Sequence, residues 1–361
     1  MTNEELQSKT IAWLRFPLAV AIVFIHTNMD EISPAVAHID YFHPSGMDIY
    51  NVIHILLSVV LLRVATPCFC IFSGFLFFYK TKNVWNRNIY FRQIKRKTRT
   101  LIVPYVLWNI IPIVIMVLFC LVKFDGSLSV YLNELQENGI FRIFWNCKVG
   151  GLYPYNMPLW FLRDLIIVAF LSPVVYYFFR YFKLYSIFIL VFFYFTDIWF
   201  PVISVRAFFF FSLGAYFSIH GKNMIIELRK SKWFWLFSAI ITLVLSMYFE
   251  GTDKFRYLYI MYNVSGSITT INIASWLIKR GHVSVHPFLS KTSFFIFALH
   301  GVYLLWQIQK LLNILFHSNN AFILTMEYFL APIICVCVCL GLYYIAQRTV
   351  PRLLGILTGS R

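Results

Sequence analysis

The chain has 361 residues, of which 60% are hydrophobic, 20% are aromatic and only 13% are charged. Soluble globular domains carry about 25% charged residues, so this composition excludes that class and predicts an all-α, polytopic integral membrane protein. The formal net charge of +16 would suit a nucleic-acid partner or anionic membrane lipids. The distribution of the charges along the chain decides between these two interpretations.

Apolar runs of roughly 20 residues recur from one end of the sequence to the other, and each is long enough to cross a bilayer. The first covers about 10–29. The next apolar stretch, 49–79, is too long for one straight span, so we predict a break at Arg63 and Pro67 and a span over 65–79. Further spans are predicted near 100–122, 158–179, 184–199, 205–220, 233–249, 257–278, 292–314 and 323–346, which makes about ten transmembrane helices.

Three segments outside these spans have a composition of their own. Residues 80–99 contain eight Lys or Arg and no acidic residue, and are predicted to be a basic cytoplasmic loop. Residues 123–158 form the longest connection, predicted to be extracytoplasmic, and 347–361 form a short basic cytoplasmic tail. We treat 1–361 as a single transmembrane domain, and we expect residues 1–37 to be retained rather than cleaved as a signal peptide.

The positive charges predict the orientation of the chain. If the N-terminus is cytoplasmic, 21 of the 31 Lys and Arg residues fall in inside segments, whereas ten of the 15 acidic residues fall outside. Lys and Arg are enriched in cytoplasmic loops of membrane proteins. We therefore predict that both termini are cytoplasmic, that membrane lipids surround the protein, and that there is no nucleic-acid partner.

The first predicted helix carries two groups that are costly in a membrane, Arg15 and His26. At about 100° per residue, their eleven-residue spacing returns to nearly the same helix face about 16 Å further along the axis. Ionisable groups within a bilayer usually face a protein-lined, hydrated interior. The helix is thus predicted to form one wall of an active site. The alternative is that His26 only bonds across to a neighbouring helix.

Several stretches, in order along the chain, resemble the acyltransferase-3 family of bacterial integral membrane acyltransferases, in a form without a fused extracytoplasmic domain. The matching motifs are Arg15-x10-His26, Val64-Ala65-Thr66-Pro67 with Phe72-Ser73-Gly74-Phe75-Leu76, Arg96-Lys97-Thr98-Arg99 with Pro104-Tyr105, Leu159-Trp160-Phe161-Leu162-Arg163-Asp164, and Ser293 to His300. Together they extend over about 10–346. The resemblance implies location in the bacterial inner membrane. It also implies transfer of an acyl group, usually acetyl from acetyl-CoA, to a hydroxyl of a cell-surface or lipid-linked glycan.

Acyl transfer from a thioester to an alcohol needs a base for the hydroxyl and donor groups for the developing oxyanion. His26 suits the base, because imidazole titrates near neutrality. Arg15 lies too far along the helix to share one tetrahedral intermediate with His26. It is therefore predicted to hold the phosphates or pantetheine arm of acyl-CoA. Arg96 and Arg99 are predicted to bind the CoA phosphates at the cytoplasmic side, where bidentate Arg–phosphate geometry is suitable.

Four further residues are candidates for substrate binding: Trp160, Arg163, Asp164 and His300. Neighbours on a helix point about 100° apart, so Arg163 and Asp164 are predicted not to face each other, and a structural ion pair elsewhere is as plausible as substrate binding. His300 is either a second base or a residue that joins helices. The aromatic side chains of the 123–158 loop that we expect to form an acceptor platform are Tyr131, Trp145, Tyr153 and Tyr155.

Two alternatives stay open on the sequence alone. Arg15 lies either in a hydrated vestibule open to the cytoplasm or in an ion pair with Asp164, which we take to be the only acidic residue in the membrane core. Buried Arg, His and Asp also mark transport pathways, so a transporter or exporter of a glycan or lipid is the rival function. The cysteines show no metal-binding spacing; we expect no metal, and the sequence does not indicate an oligomeric state.

Overall fold

The computed structural model describes residues 1–27, 39, 43–79, 81, 85–123, 127–146, 153–196, 203–318 and 320–359. Within these ranges the chain is helical and contains no β-strand. The α-helices in chain order are α1 (Asn3–Ile25), α2 (Gly46–His54), α3 (Ala65–Tyr79), α4 (Arg87–Lys97), α5 (Val103–Lys123), α6 (Ser127–Asn138), α7 (Ile140–Ile143), α8 (Trp160–Phe170), α9 (Ser172–Phe182), α10 (Tyr185–Thr196), α11 (Val205–Ile219), α12 (Met224–Arg229), α13 (Lys232–Tyr248), α14 (Asp253–Arg280), α15 (Pro287–Leu299), α16 (Leu305–Phe316), α17 (Ala321–Thr349) and α18 (Pro351–Thr358).

Several of these helices join through irregular helical turns and so form longer rods. The π-helical turns are Ile55–Val60, Thr98–Ile102 and His300–Leu304, and the 3₁₀ turns are Leu61–Val64 and Met157–Leu159. In the part of the chain that the structure describes, five rods are long and apolar enough to cross a membrane: Asn3–Ile25, Gly46–Tyr79, Arg87–Lys123, Pro287–Phe316 and Ala321–Thr349. A sixth is Met157–Phe170 with Ser172–Phe182, if this pair, bent by 64°, is one span.

The predicted all-helical class is confirmed, and these rods fit an integral membrane protein. Three more apolar helices, Tyr185–Thr196, Val205–Ile219 and Lys232–Tyr248, have fewer than 18 residues. Nine of the ten segments predicted to span the membrane contain one of these helices or the helix pair. The tenth, 257–278, lies within α14 (Asp253–Arg280), which is long enough to span but is not among these apolar helices. Helix length and composition together support five or six spans in the described chain, so the count of ten and the orientation stay predictions.

The segments predicted as loops and tail contain helices of their own. The basic segment 80–99 becomes helical at Arg87, because the side chain of Asn86 accepts a hydrogen bond from the backbone N–H of Ile89 (2.9 Å) and caps the new helix. It then runs without interruption into α5. The 123–158 connection contains α6 and α7, and the 347–361 tail contains α18. Gly150-Gly151-Leu152 in that connection lies outside the described residues.

Helix α1 lies in the middle of the bundle, where it packs against α3, α14, α15 and α17. It begins after Thr2, whose hydroxyl accepts a hydrogen bond from the backbone N–H of Glu5. Leu14, Leu18 and Ala19 are buried in these contacts. A central position for α1 means that Arg15 and His26 both lie among protein helices.

Helices α3 and α11 approach each other closely through two glycines. A Cβ atom on Gly74 would lie 1.9 Å from the carbonyl oxygen of Phe211, and one on Gly214 would lie 1.9 Å from that of Ile71. No larger residue fits at either position, and such small residues are typical of tightly packed membrane helices. The Ser73-Gly74 part of the family motif therefore has a packing role.

Candidate active site

Two histidines from different helices meet at the wall of a large cavity. His26 follows directly after α1, and His300 follows directly after α15. Their imidazole rings lie with centroids 5.3 Å apart and planes inclined by 39°. Both line a cavity of about 1400 Å³. The predicted base and the predicted substrate-binding histidine thus lie side by side, a contact that the sequence did not indicate.

The hydrogen bond of His300 defines its tautomer. Its Nδ1 lies 3.0 Å from the carbonyl oxygen of Ile296. A carbonyl can only accept, so Nδ1 carries the hydrogen and Nε2 carries the lone pair in the neutral ring. The side chain is 2% exposed, and Nε2 has no hydrogen-bond partner among the described residues. An imidazole with a fixed tautomer and a vacant basic nitrogen can accept a proton.

The helix that carries His300 is broken at that residue. The π-turn His300–Leu304 includes two residues with non-helical backbone angles, Val302 (φ −87°, ψ 60°) and Tyr303 (φ 58°, ψ −9°). A break of this kind frees backbone carbonyls from their helical partners. Just before the break, the carbonyl of Ala298 accepts a hydrogen bond from Nδ2 of Asn156 (3.1 Å). The segment before α8 therefore stabilises the break that directs His300 into the cavity.

Asn156 is fully buried and joins three parts of the structure. Its Nδ2 also donates to the carbonyl of Trp108 (3.0 Å), and its backbone N–H donates to Oδ1 of Asn109 (3.0 Å). Gly301 lies directly against it, since a Cβ atom there would be 2.5 Å from Oδ1 of Asn156. Only glycine permits this approach between the broken helix and the loop.

The cavity wall is a mixture of apolar, aromatic and charged side chains from α5, α6, α16 and α17. Besides the two histidines, its polar and aromatic lining residues are Phe119, Lys123, Tyr131, Glu134, Tyr155, Tyr303, Trp306, Gln307, Gln309, Lys310, Asn313 and Glu327. Tyr131 and Tyr155, predicted as part of an acceptor platform, are among them. Trp145 and Tyr153, the other two predicted platform residues, are not, and Tyr153 is 43% exposed.

Sequence reasoning missed Glu327. We took Asp164 to be the only acidic residue of the membrane core, but Glu327 lies within α17 and lines the cavity. The signal was available, because a single carboxylate interrupts the apolar run 323–346. Tyr303 was also missed. Its left-handed backbone conformation is rare for a tyrosine and has no sequence signal.

A second polar chain ties α1 to the irregular turn of the next rod. Ser58 donates a hydrogen bond to the carbonyl of Phe24 in the last turn of α1 (2.7 Å), so it accepts from the hydroxyl of Tyr328 at 2.7 Å. Arg63 donates through Nε to the carbonyl of Ser58 (2.8 Å). The irregular turns over 55–64 include Arg63 but end before Pro67, and the helix continues through them as one rod, Gly46–Tyr79, rather than breaking into a separate span over 65–79.

Arg163 and Asp164 form an ion pair with each other, so the prediction that they do not face each other is wrong. Nε and Nη2 of Arg163 donate to Oδ1 of Asp164 at 3.0 and 2.9 Å. The other carboxylate oxygen accepts from the backbone N–H of Ser204 (3.0 Å). Nη1 donates to the carbonyl of Trp145 (2.9 Å), and the guanidinium lies 5.1 Å from that ring. The long arginine side chain turns back on its own helix, which the Cα directions alone do not reveal.

This pair also decides one alternative for Arg15. Asp164 is taken up by Arg163 and Ser204, so Arg15 is not its partner. Arg15 is half-buried, and no described residue makes a hydrogen bond or ion pair with it. The predicted vestibule open to the cytoplasm stays a prediction.

The remaining predicted site residues lie away from the cavity lining. Arg96 is near the end of α4 and Arg99 is in the π-turn Thr98–Ile102, and both are exposed. Next to this turn, α18 packs on α5, and Trp108 Nε1 donates to the carbonyl of Leu357 (2.9 Å). Trp160 begins α8 and packs with its ring edge toward Phe161. Within the described chain, no group of three His, Cys, Asp or Glu side chains is placed to hold a metal ion.

The comparisons with known proteins agree with the motifs. The chain belongs to the acyltransferase-3 family, since the family model described as an acyltransferase domain matches residues 9–344. It is also similar to the succinoglycan biosynthesis protein ExoH of Rhizobium meliloti (strain 1021), with 24% identity over 376 aligned residues. That alignment covers 98% of this chain and 92% of the relative. No solved structure matches the chain.

Proposed function

We propose that this protein is a membrane O-acyltransferase that moves an acyl group, acetyl in the first instance, from acyl-CoA to a hydroxyl of a cell-surface or lipid-linked glycan. The observation that carries the proposal is the His26–His300 pair on the cavity wall, in a chain of an acyltransferase family. The glycan acceptor is supported by the similarity to a protein named for succinoglycan biosynthesis.

The imidazole pair can perform the proton transfers of this reaction. His26 removes the proton from the acceptor hydroxyl as its oxygen attacks the thioester carbonyl. The new C–O ester bond forms, the C–S bond breaks, and the imidazolium returns the proton to the departing CoA thiolate. His300, with its vacant Nε2, is the second base beside it.

On the donor side, we assign acyl-CoA to the cytoplasmic half of the protein. Arg15 would bind the donor's phosphates or pantetheine arm, and the exposed pair Arg96 and Arg99 would bind the phosphates of CoA. In this proposal the donor is acetyl-CoA, and the reaction uses no metal ion.

On the acceptor side, the cavity offers Tyr131, Tyr155 and Glu327 to a sugar. We assign Arg163 and Asp164 a structural role instead of substrate binding, because they make their hydrogen bonds within the protein. Trp160 packs against the hydrophobic core next to them.

We further propose that the single domain crosses the bacterial inner membrane ten times, with both termini in the cytoplasm. The asymmetry of Lys and Arg supports the orientation. The occurrence of a helix in every predicted span supports the count. Cysteine accessibility labelling of Lys230→Cys and Lys254→Cys tests it, with reactivity expected only from the cytoplasm for the first and only from outside for the second.

The reaction class is tested by incubating the purified protein in lipid nanodiscs with radiolabelled acetyl-CoA and a glycan acceptor. We expect release of free CoA and labelled ester that mild base removes. The irregular turns at 55–64 and 300–304 also suit the transporter alternative, since broken helices often line transport sites. Glycan flux through proteoliposomes without acyl-CoA, and no ester formation with it, would favour the transporter.

A further inference from the structure

We propose that Tyr303, held in place by Tyr155 and Tyr131, is the residue that positions the acceptor hydroxyl at the His26–His300 pair. This inference rests on the proposed function and deepens it. It names the group that orients a neutral sugar hydroxyl in the cavity.

The backbone of Tyr303 has the left-handed conformation, with φ 58° and ψ −9°. In that conformation the Cβ atom of any side chain comes too close to the following carbonyl oxygen, so glycine is the usual residue. A tyrosine there is strained, and residues held in this way concentrate at functional sites. The side chain of Tyr303 must therefore supply something that glycine would not.

That side chain ends in a chain of three hydroxyl groups. The hydroxyl oxygens of Tyr303 and Tyr155 are 2.8 Å apart, and those of Tyr155 and Tyr131 are 2.7 Å apart. Each hydroxyl has one proton, so Tyr155 donates to no more than one of its two neighbours and accepts a hydrogen bond from at least one of them. The backbone N–H of Tyr155 donates to the carbonyl of Ile143 (2.8 Å), which fixes the middle of the chain.

The three tyrosines come from separate parts of the fold and line one cavity together with His26 and His300. Tyr303 is in the same π-turn as His300, three residues further along. The break that directs the imidazole into the cavity therefore also directs the phenol there. A phenol is neutral at physiological pH and both donates and accepts hydrogen bonds, which suits a neutral hydroxyl.

Positioning by a hydroxyl has an expected kinetic signature. A site built to hydrogen-bond a substrate hydroxyl loses discrimination and rate when the bond is removed. Donor binding, which we assign to Arg15, Arg96 and Arg99, should be unchanged. If the tyrosine chain only anchors the loop before α8, its loss should instead weaken the whole site and the fold.

The experiment compares Tyr303→Phe and Tyr155→Phe with the matched control Tyr153→Phe, an exposed tyrosine on the same loop. Each variant is assayed in nanodiscs with radiolabelled acetyl-CoA and with methyl glucoside or methyl galactoside as the acceptor probe. The assay measures transfer to the glycoside and, without glycoside, hydrolysis of acetyl-CoA. Thermal unfolding of each variant is followed in parallel.

We expect Tyr303→Phe and Tyr155→Phe each to lower kcat/KM for the glycoside about tenfold, the loss typical of one hydrogen bond. The double variant should be little worse than either single one, because both break the same chain. The KM for acetyl-CoA and the rate of its hydrolysis should stay within twofold of wild type, and the unfolding temperature should stay within a few degrees. The control Tyr153→Phe should match wild type in every measurement. Tyr303→Gly should lose transfer while unfolding no earlier than wild type, since it relieves the strained backbone.

Two results overturn the inference. One is transfer by Tyr303→Phe within twofold of wild type. The other is an equal loss of transfer, hydrolysis and thermal stability, which is the result of a structural role alone. Glycoside binding is also measured directly by saturation-transfer difference NMR. A wild-type protein that transfers nothing but binds the glycoside about tenfold better than Tyr303→Phe would refute the reaction and keep the site, whereas absence of both binding and transfer would reject both.

Discussion

The buried polar side chains at the start of α8 and those around the cavity differ in how fully their hydrogen bonds are made. At the start of α8, both carboxylate oxygens of Asp164 accept hydrogen bonds, one from Arg163 and the other from Ser204. Around the cavity, His300 Nε2 and Asn156 Oδ1 are buried and have no hydrogen-bond partner in the described chain.

What distinguishes His300 is the place of its unmet bond: other buried atoms, such as His54 Nε2 and Asn272 Oδ1, also lack a partner among the described residues, but only His300 Nε2 of these three belongs to a residue that lines the cavity. Buried polar groups are almost always hydrogen-bonded, because an unmet bond is costly. The Arg163–Asp164 pair follows this rule, so few of its hydrogen-bonding groups remain for a substrate. The residues around the cavity do not follow this rule, and the cavity beside them is large enough for a substrate. Functional sites commonly depart from such rules.

The largest effect is expected at the histidines. His26→Ala and His300→Ala should each lower acyl transfer by about 10²–10⁴-fold, the usual contribution of a positioned acid–base group. The two losses should not add in the double variant, because the imidazoles act as a unit. Radiolabelled transfer at equal membrane abundance measures this.

The matched control for the histidines is His220→Ala. His220 follows α11, where its Nδ1 lies 2.9 Å from the carbonyl of Tyr216, and it does not line the cavity. It should retain wild-type transfer. If His26→Ala kept activity within a few-fold of wild type, His26 would have no place in the mechanism.

The next effect is expected in stability rather than activity. Asp164→Asn leaves the guanidinium of Arg163 buried without its counter-charge, which typically costs about 3–5 kcal/mol. The amount of folded protein and its unfolding temperature should fall, while transfer per folded molecule stays near wild type.

The comparison for Asp164 is Glu227→Gln, which removes the surface partner of Lys230. Exposed pairs contribute only about 0–1 kcal/mol, so this variant should unfold like wild type. A well-folded Asp164→Asn protein that no longer transfers acyl groups would contradict the structural assignment and return Asp164 to the active site.

The helices themselves were predictable, because an apolar run of spanning length is a local property of the sequence. The disturbance between α2 and α3 was predictable for the same reason, since Arg63 interrupts the run. The contact between His26 and His300 was not predictable, because it depends on where two helices end relative to each other. No residue pattern records that distance.

The errors have physical causes of the same kind. Helix geometry gives the direction of Cβ but not the path of a long flexible side chain, so Arg163 could turn back onto Asp164 unforeseen. The backbone break at 300–304 has no proline, and Tyr303 occupies a conformation where the sequence would favour glycine. Asn156, distant in sequence, donates a hydrogen bond to the carbonyl of Ala298 just before the break.

A smaller effect is expected at Arg15. Its substitution tests whether the proposed active site extends from the histidines to a donor site at Arg15. Arg15→Lys keeps the charge but loses the planar fork that binds phosphate in a bidentate manner. We expect roughly tenfold weaker acyl-CoA binding, as lost charge-assisted hydrogen bonds usually cost about 1.5–3 kcal/mol. Isothermal titration with CoA measures it, and Arg348→Lys at the end of α17 is the control. Unchanged CoA affinity would remove Arg15 from the donor site.

The smallest effect is expected at Arg96 and Arg99. Both are exposed, and an exposed charge pair contributes about 0.2–1 kcal/mol. Each alanine variant should therefore raise KM for acetyl-CoA by roughly two- to fivefold without changing kcat, because a contact far from the thioester supplies uniform binding. Arg87→Ala, at the other end of α4, should have no effect.

A more specific test asks whether Arg96 or Arg99 binds the 3′-phosphate of CoA. Wild type should prefer acetyl-CoA over acetyl-dephospho-CoA, which lacks the 3′-phosphate, and the arginine that binds this phosphate should lose the preference when it is replaced. Raising the salt concentration should reduce the preference of the wild type for acetyl-CoA over acetyl-dephospho-CoA, because interactions between exposed charges are screened beyond about 10 Å at 0.1 M salt. If both variants keep the full preference for the 3′-phosphate, the two arginines are explained by the charge asymmetry of the cytoplasmic face alone, and the phosphates of CoA must bind elsewhere.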